Sequence, residues 1–256
     1  MNQAERLEYL IDALLQESPR YRRVQMPGKD RFDLLRALMN VRPPLPVSTE
    51  FLKVQDEYLK GVNAERGVTA LADLIPVRGN LYLWQGDITT LKCDAIVNAA
   101  NSQLLGCFRP LHSCIDNCIH TYAGVQLRLK CAELMEAQGQ EEPTGSAKIT
   151  PAYNLPSKYV LHTVGPIVDG TLTKEHCELL ASCYRSCLDL AAENGCGSVA
   201  FCAISTGVFG FPKEPAAEIA VQTVEEWLKA HNSGMQVIFT AYSDRSLEIY
   251  RQVLDR

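Results

Sequence analysis

Apolar positions recur along this chain with two different periods, and the change of period near residue 75 divides it. Leu7, Leu10, Ile11 and Leu14 fall at i, i+3, i+4 and i+7, a single helical stripe that Ser18-Pro19 closes. A second helix is expected over 30 to 40. Pro43, Pro44 and Pro46 then break the chain, and Ser48 or Thr49 can cap a third helix whose Phe51, Val54 and Tyr58 share a face. Each helix has one apolar stripe, so residues 1 to 75 form an appended layer that must dock on something.

From Asn80 onward short β-rich runs alternate with helical ones. Strands are expected at 80–85, 94–97, 146–150, 158–164, 198–204 and 235–241. Helices are expected at 115–137, 173–193 ending at Gly195, 214–231 with Pro215 in its first turn, and 244–254. Such alternation predicts an α/β fold, a three-layer α/β/α sandwich over residues 76–256, with 139–145 as a surface turn.

Composition narrows the partners. Hydrophobic residues make up 46% and charged residues 21%, and no apolar run approaches the roughly 20 residues of a membrane span. The start MNQAERLEYL lacks the apolar core of a secretory signal, so a soluble protein without a membrane partner is expected. With 25 basic and 30 acidic residues, net −5, and no Lys/Arg cluster, nucleic acid is not an expected partner. Ten cysteines in a chain large enough to build a full core fit metal or thiol use in a reducing cytoplasm better than disulfide staples.

The candidate chemistry gathers where strands end. Leu81 to Gln85 stops at Gly86-Asp87, and Ala95-Ile96-Val97 stops at Asn98 and leads into Asn101. Open α/β sheets bind ligands just past such strand ends. Ser205-Thr206-Gly207-Val208-Phe209-Gly210 follows a strand and precedes a helix, so its small residues let consecutive NH groups converge on a phosphate. It is not a P-loop, and taken alone it is also an ordinary Gly-rich turn.

Between these motifs, Cys107, His112 and Cys114 put two thiols and an imidazole within eight positions, on a loop kept irregular by Gly106 and Pro110. Zinc takes such ligands tetrahedrally, and three of them leave one position open. On spacing alone a packed Cys-rich loop is an equal reading. Ile115, Cys118, Ile119 and Tyr122 have helical spacing, which puts Cys118 on a buried stripe and His120 on another face. Asp116 lies at that helix start, where a carboxylate can serve as a cap, and Asn117 adds a polar group beside it. His162, Cys183 and Cys187 read as core positions.

GDIT at 86–89, DAIVNAAN at 94–101 and ISTGVFGFP at 204–212 stand in the order and spacing of the macrodomain family, which this chain resembles. The run Gly106 to Asn117, in place of a glycine-only run, resembles the zinc-containing subfamily of protein ADP-ribose hydrolases, which also carries an N-terminal extension. The resemblance implies a mixed sheet and an ADP-ribose cleft. It implies that Asp87 accepts from the adenine amino group, that the Ile88 NH serves the neighbouring ring nitrogen, and that Tyr242 stacks on adenine. Ser205 to Gly210 would cradle the pyrophosphate, with Phe209 flanking the distal ribose. Asn101 would bind the distal ribose hydroxyls, and Cys114, Ile115, Asp116 and Asn117 would line the same ligand. Zinc on Cys107, His112 and Cys114 would polarise a ribose oxygen or activate water, with Asn101 and Asp116 as the catalytic pair.

The activity so implied is zinc-dependent removal of mono-ADP-ribose from modified protein side chains. A non-catalytic ADP-ribose reader, a hydrolase of free acetyl-ADP-ribose or of an ADP-ribose phosphate ester, and a purely structural zinc are the alternatives.

Overall fold

The computed structural model describes residues 1–19, 21 and 30–256. Its centre is a seven-stranded sheet built from β2 (Pro76–Arg78), β3 (Leu81–Gln85), β5 (Ala95–Ala100), β6 (Ala147–Pro151), β7 (Tyr159–Val164), β8 (Ser198–Phe201) and β9 (Gln236–Ala241). Their spatial order is β2-β3-β9-β8-β5-β7-β6. The run from β3 to β7 is parallel, and β2 and β6 add antiparallel edges. A separate parallel pair joins β1 (Thr69–Ala70) to β4 (Leu91–Lys92).

The parallel strands are apolar runs without alternation, as burial on both faces requires; β8, Ser-Val-Ala-Phe, is buried at every position. Helices α6 (Lys174–Glu193), α7 (Lys213–Ala230) and α8 (Asp244–Leu254) pack on one another, while α4 (Ile115–Ala123) and α5 (Val125–Gln138) pair beside β5 and β6.

The extension comprises α1 (Gln3–Glu17), α2 (Arg31–Val41) and α3 (Thr49–Glu65), capped by Asn2, Asp30 and Ser48. Its stripes meet in a core of their own, with Leu10, Ile11, Leu14, Leu35, Leu38 and Leu59 fully buried. It is held to the rest by buried polar side chains as well. Gln55 Oε1 accepts from the Val125 NH at 2.9 Å, Asn63 Nδ2 donates to the Asn154 carbonyl at 2.8 Å, and Arg128 of α5 donates to the carbonyls of Met39 and Asn40 at 2.8 and 3.1 Å.

Several expected boundaries move. The helix expected over 115–137 is two helices, because Gly124 has φ of 99° and a Cβ there would stand 2.6 Å from the Gln55 and Gln126 side chains. The strand expected over 198–204 stops at Phe201, and β2 was not anticipated. The buried face of α4 is Asp116, Asn117, Ile119, His120, Thr121 and Ala123 rather than the apolar stripe. The cause is position: α4 lies between β5 and the extension, so Tyr122 stacks 6.2 Å from Phe32 and Cys118 faces Arg36 instead of the main core.

Candidate active site

A parallel sheet sends all its strand ends to one edge, and here the order of strands sets the order of the motifs. Asp87 follows β3, Tyr242 follows β9, the 205–210 loop follows β8, and Asn101 follows β5, which are neighbours in that sequence. The four groups therefore form one row: an acceptor, an exposed aromatic, a loop of backbone NH groups and an amide. Tyr242 is 85% exposed and Val208 82%, so both are free to cover a ligand.

Asp87 caps the short 3-10 turn Ile88–Thr90. Its Oδ1 accepts from the Thr89 NH at 2.9 Å and from Thr89 Oγ1 at 2.7 Å, and its Oδ2 accepts from Arg66 at 2.5 Å. A carboxylate oxygen has more than one lone pair, so Oδ2 keeps acceptor capacity for a ligand.

The 205–210 loop is shaped by left-handed residues. Ser205 has φ of 62° and Gly210 of 71°. The turn is closed by hydrogen bonds from the Phe211 NH to the Ser205 carbonyl at 3.0 Å and from the Gly210 NH to the Gly207 carbonyl at 3.1 Å. The buried Ser205 hydroxyl has no hydrogen-bond partner among the described residues.

At the far end of the row, Asn101 donates to the Gly106 carbonyl at 3.2 Å and accepts from the Gln103 NH at 3.1 Å, which starts the loop toward α4. Gly106 itself has φ of 79°, and a Cβ on it would lie 2.8 Å from the His120 ring. Cys114, not Asp116, is the N-cap of α4, its sulfur accepting from the Asn117 NH at 3.4 Å. Asp116 is 5% exposed and accepts from Asn98 Nδ2 at 2.8 Å. Burial pushes its carboxyl up to about 6, against the pull of the Asn98 hydrogen bond and the Arg128 charge. Asn117 is fully buried, and its amide donates to the carbonyls of Cys107 at 3.3 Å and Arg109 at 3.0 Å, so the group expected to face the ligand ties the loop instead.

Cys107, His112 and Cys114, all half-buried, hold their ligand atoms within 4.8 Å of one another. Tetrahedral zinc bonds of about 2.3 Å to sulfur and about 2.05 Å to nitrogen place those atoms about 3.6 Å apart. Cys107 Sγ and His112 Nδ1 are 3.6 Å apart. Burial pushes the Cys114 thiol up to about 12, so it needs a cation beside it to ionise. The three residues fit zinc. Cys118 is outside the group, its sulfur accepting from Arg36 at 3.6 Å.

A second trio, His120, Cys131 and His162, also lies within 4.8 Å and is buried. It fits a metal poorly. Asn98 Nδ2 donates to His162 Nδ1 at 3.1 Å, so the Nε2 carries the proton and gives it to Thr150 Oγ1 at 2.9 Å, leaving no lone pair. Burial holds His162 down to about 3 and keeps His120 neutral as well, with the Arg128 charge adding in the latter case.

Three further residues belong to the site beyond those the motifs mark as ligand or metal contacts: Asn98, whose amide bridges Asp116 and His162, and Arg36 and Arg66, which reach the site from the extension. Asn98 carried a signal: a polar residue inside an otherwise apolar central strand needs a buried partner. The arginines carried none, since their partners are distant in sequence.

Comparison with known proteins finds relatives both in sequence and in structure. The Macro domain family matches residues 97–220. A curated "Protein-ADP-ribose hydrolase" of Treponema medium is 58% identical over 260 residues, covering 99% of this chain and 100% of that protein. One of the same name from Staphylococcus aureus is 53% identical, covering 98% and 96%. Among solved structures, a Trypanosoma brucei macrodomain in complex with ADP-ribose superposes with a TM-score of 0.66 at 29% identity, covering 84% of this chain and 94% of that one.

Proposed function

Because the chain belongs to the macrodomain family, we propose that it is a zinc-containing hydrolase that removes mono-ADP-ribose from protein side chains. The observation that carries the reading is the row of strand ends, which offers an acceptor, an aromatic ring, a loop of backbone NH groups and an amide in the order that adenine, pyrophosphate and distal ribose would call for, and which finishes beside the Cys107, His112 and Cys114 trio. The relatives named as protein-ADP-ribose hydrolases and the ADP-ribose complex of the Trypanosoma protein support it.

Asp87 and the Ile88 NH read adenine, and Tyr242 stacks on it. The 205–210 loop binds the pyrophosphate through backbone NH groups, which suits a chain of net charge −5. Asn101 orients the distal ribose, with Phe209 along its side. The lining expected of Cys114 and Ile115 follows from their place at the first turn of α4, where backbone NH groups are free. Asp116, in a dry setting and tethered by Asn98, accepts the proton of the water that attacks the anomeric carbon as the bond to the protein side chain breaks. Cys107, His112 and Cys114 would hold a zinc ion, which when bound would supply Lewis-acid polarisation at that end of the ligand. The free state of all ten cysteines fits a reducing cytoplasm.

The test is product analysis on three substrates: protein carrying mono-ADP-ribose at chemically defined residues, free acetyl-ADP-ribose, and an ADP-ribose phosphate ester. Release of ADP-ribose from the modified protein is expected to be the fastest. Binding without turnover on any of the three would make the chain a reader.

A further inference from the structure

The extension does more than cover apolar surface, because two of its arginines end in the site. Arg66, the residue that caps the C-terminus of α3, donates to Asp87 Oδ2 at 2.5 Å and to Thr89 Oγ1 at 2.9 Å. Its guanidinium lies 3.5 Å above the Tyr122 ring, and a further hydrogen bond runs to Asn63 Oδ1 at 3.2 Å. Held on both sides, this arginine and Thr89 together fix the plane of the Asp87 carboxylate.

Arg36 of α2 works at the opposite end. A single nitrogen, Nη2, donates to the His112 carbonyl at 2.8 Å and to Asn117 Oδ1 at 2.9 Å. Asn117 in turn binds the Cys107 carbonyl through its amide and the Cys114 sulfur through its backbone NH. Every member of the Cys107, His112 and Cys114 trio is thus one or two hydrogen bonds from Arg36. Asn40, one turn further along α2, accepts from the Leu111 NH at 3.0 Å. That matters because Leu111 has φ of 55°, a conformation a leucine keeps only when its surroundings hold it.

We propose that the helical layer is a working part of the site: Arg66 is the positioning residue for Asp87 and the adenine end, and Arg36, with Asn40, is the positioning residue for the metal loop and the distal-ribose end. The proposal rests on the ADP-ribose reading above for which ligand group sits at which end. Its distinguishing consequence is separability. A layer that only glued the fold would, when weakened, damage both ends together.

The experiment uses the full chain and three probes: ADP, which lacks the distal ribose; ADP-ribose; and zinc, measured by competition with a chromogenic chelator. Arg66→Ala is expected to weaken ADP about tenfold, the scale for losing one hydrogen bond to a charged group, while leaving zinc affinity within twofold. Arg36→Ala is expected to do the reverse. It should weaken zinc about tenfold or more, as loss of an outer partner of a metal site does, and lower the ratio of ADP-ribose to ADP affinity, while ADP itself is held as before. Should Arg36→Ala fail to fold, Asn40→Ala carries the same expectation for zinc.

If each variant lowers both ends in proportion to its loss of thermal stability, or moves neither, the proposal is overturned. If the unaltered protein takes up no zinc, the zinc reading fails by itself, and the ADP and ADP-ribose arms still decide the roles of the two arginines. Wild-type binding without hydrolysis would likewise sink only the catalytic reading.

Discussion

Two trios of cysteine and histidine lie close to α4, and they behave in opposite ways. Cys107, His112 and Cys114 stand on a loop, half-buried, with their ligand atoms within 4.8 Å and with the Cys107 sulfur and His112 Nδ1 at the 3.6 Å spacing of a tetrahedral site. His120, Cys131 and His162 are as close together but buried, and His162 has spent both nitrogens on Asn98 and Thr150. Donor identity is the same in kind, so proximity of ligand atoms does not make a metal centre. What separates the trios is whether a cation can arrive and, at His162, whether a lone pair is left to meet it. His162, with the Cys131 sulfur 3.8 Å from its Nε2, belongs to a network that ends on Asp116 through Asn98 and helps hold that carboxylate in place, whereas the His120 ring makes no hydrogen bond among the described residues.

The largest effect expected from disturbing that contrast is at the loop trio. Cys114→Ala should abolish zinc binding and cut hydrolysis by several kcal/mol of transition-state stabilisation, about a thousandfold or more, with ADP affinity little changed. Metal analysis and single-turnover release on the same preparation check it. If ADP affinity collapses too, the metal shapes the cleft rather than acting at one end of it.

The buried trio should answer in stability instead. His162→Ala removes a fully buried ring and strands Asn98 and Thr150, a cost of about 2–5 kcal/mol in denaturant unfolding. Zinc per chain should stay at the wild-type value. Loss of zinc from this variant would erase the distinction drawn between the trios.

Acid sharpens the contrast next. His162 is held down to about 3 in the folded chain and titrates near 6.5 when unfolded, so below pH 6.5 the unfolded state binds the extra proton and stability falls. The contribution is fully present above pH 6.5 and drains away as the pH drops toward 3, the loss by pH 5 being about 2 kcal/mol. Asp116 acts with the opposite sign, since its raised carboxyl takes up a proton more readily when folded. The comparison is therefore between wild type and His162→Gln, which removes only the first effect. Equal pH dependence of unfolding in the two proteins would show that His162 is not a buried neutral imidazole.

The smallest predicted effect lies away from both trios. Asp87→Ala should weaken ADP-ribose by about 1–3 kcal/mol by calorimetry, without altering zinc content. Unchanged affinity would remove Asp87 from the adenine end.

Much of this was readable from the chain itself because parallel strands are continuous apolar runs and ligands gather where they stop. GDIT, DAIVNAAN and ISTGVFGFP mark such stops, and the structure puts them on one edge. The pattern of α4 misled for a physical reason. Apolar spacing marks a buried face only when a helix has one neighbour, and α4 has β5 on one side and the extension on another. Hence Asp116, Asn117 and His120 are buried where the stripe argument put Cys118. The break at Gly124 could not be read either, since one glycine is tolerated within a helix and only the closeness of Gln55 and Gln126 requires it. Arg36 and Arg66 belong to the same class of residue, polar positions whose meaning depends entirely on partners from distant parts of the chain.

The most direct measurement of the central claim is to strip the protein with a chelator, confirm by metal analysis that it is zinc-free, and follow release of ADP-ribose from modified protein before and after zinc is restored. ADP should bind throughout, release from the stripped protein should be negligible, and activity should recover in proportion to zinc bound until the Cys107, His112 and Cys114 trio is filled at one ion per chain. Full hydrolytic activity in the zinc-free sample would contradict that claim.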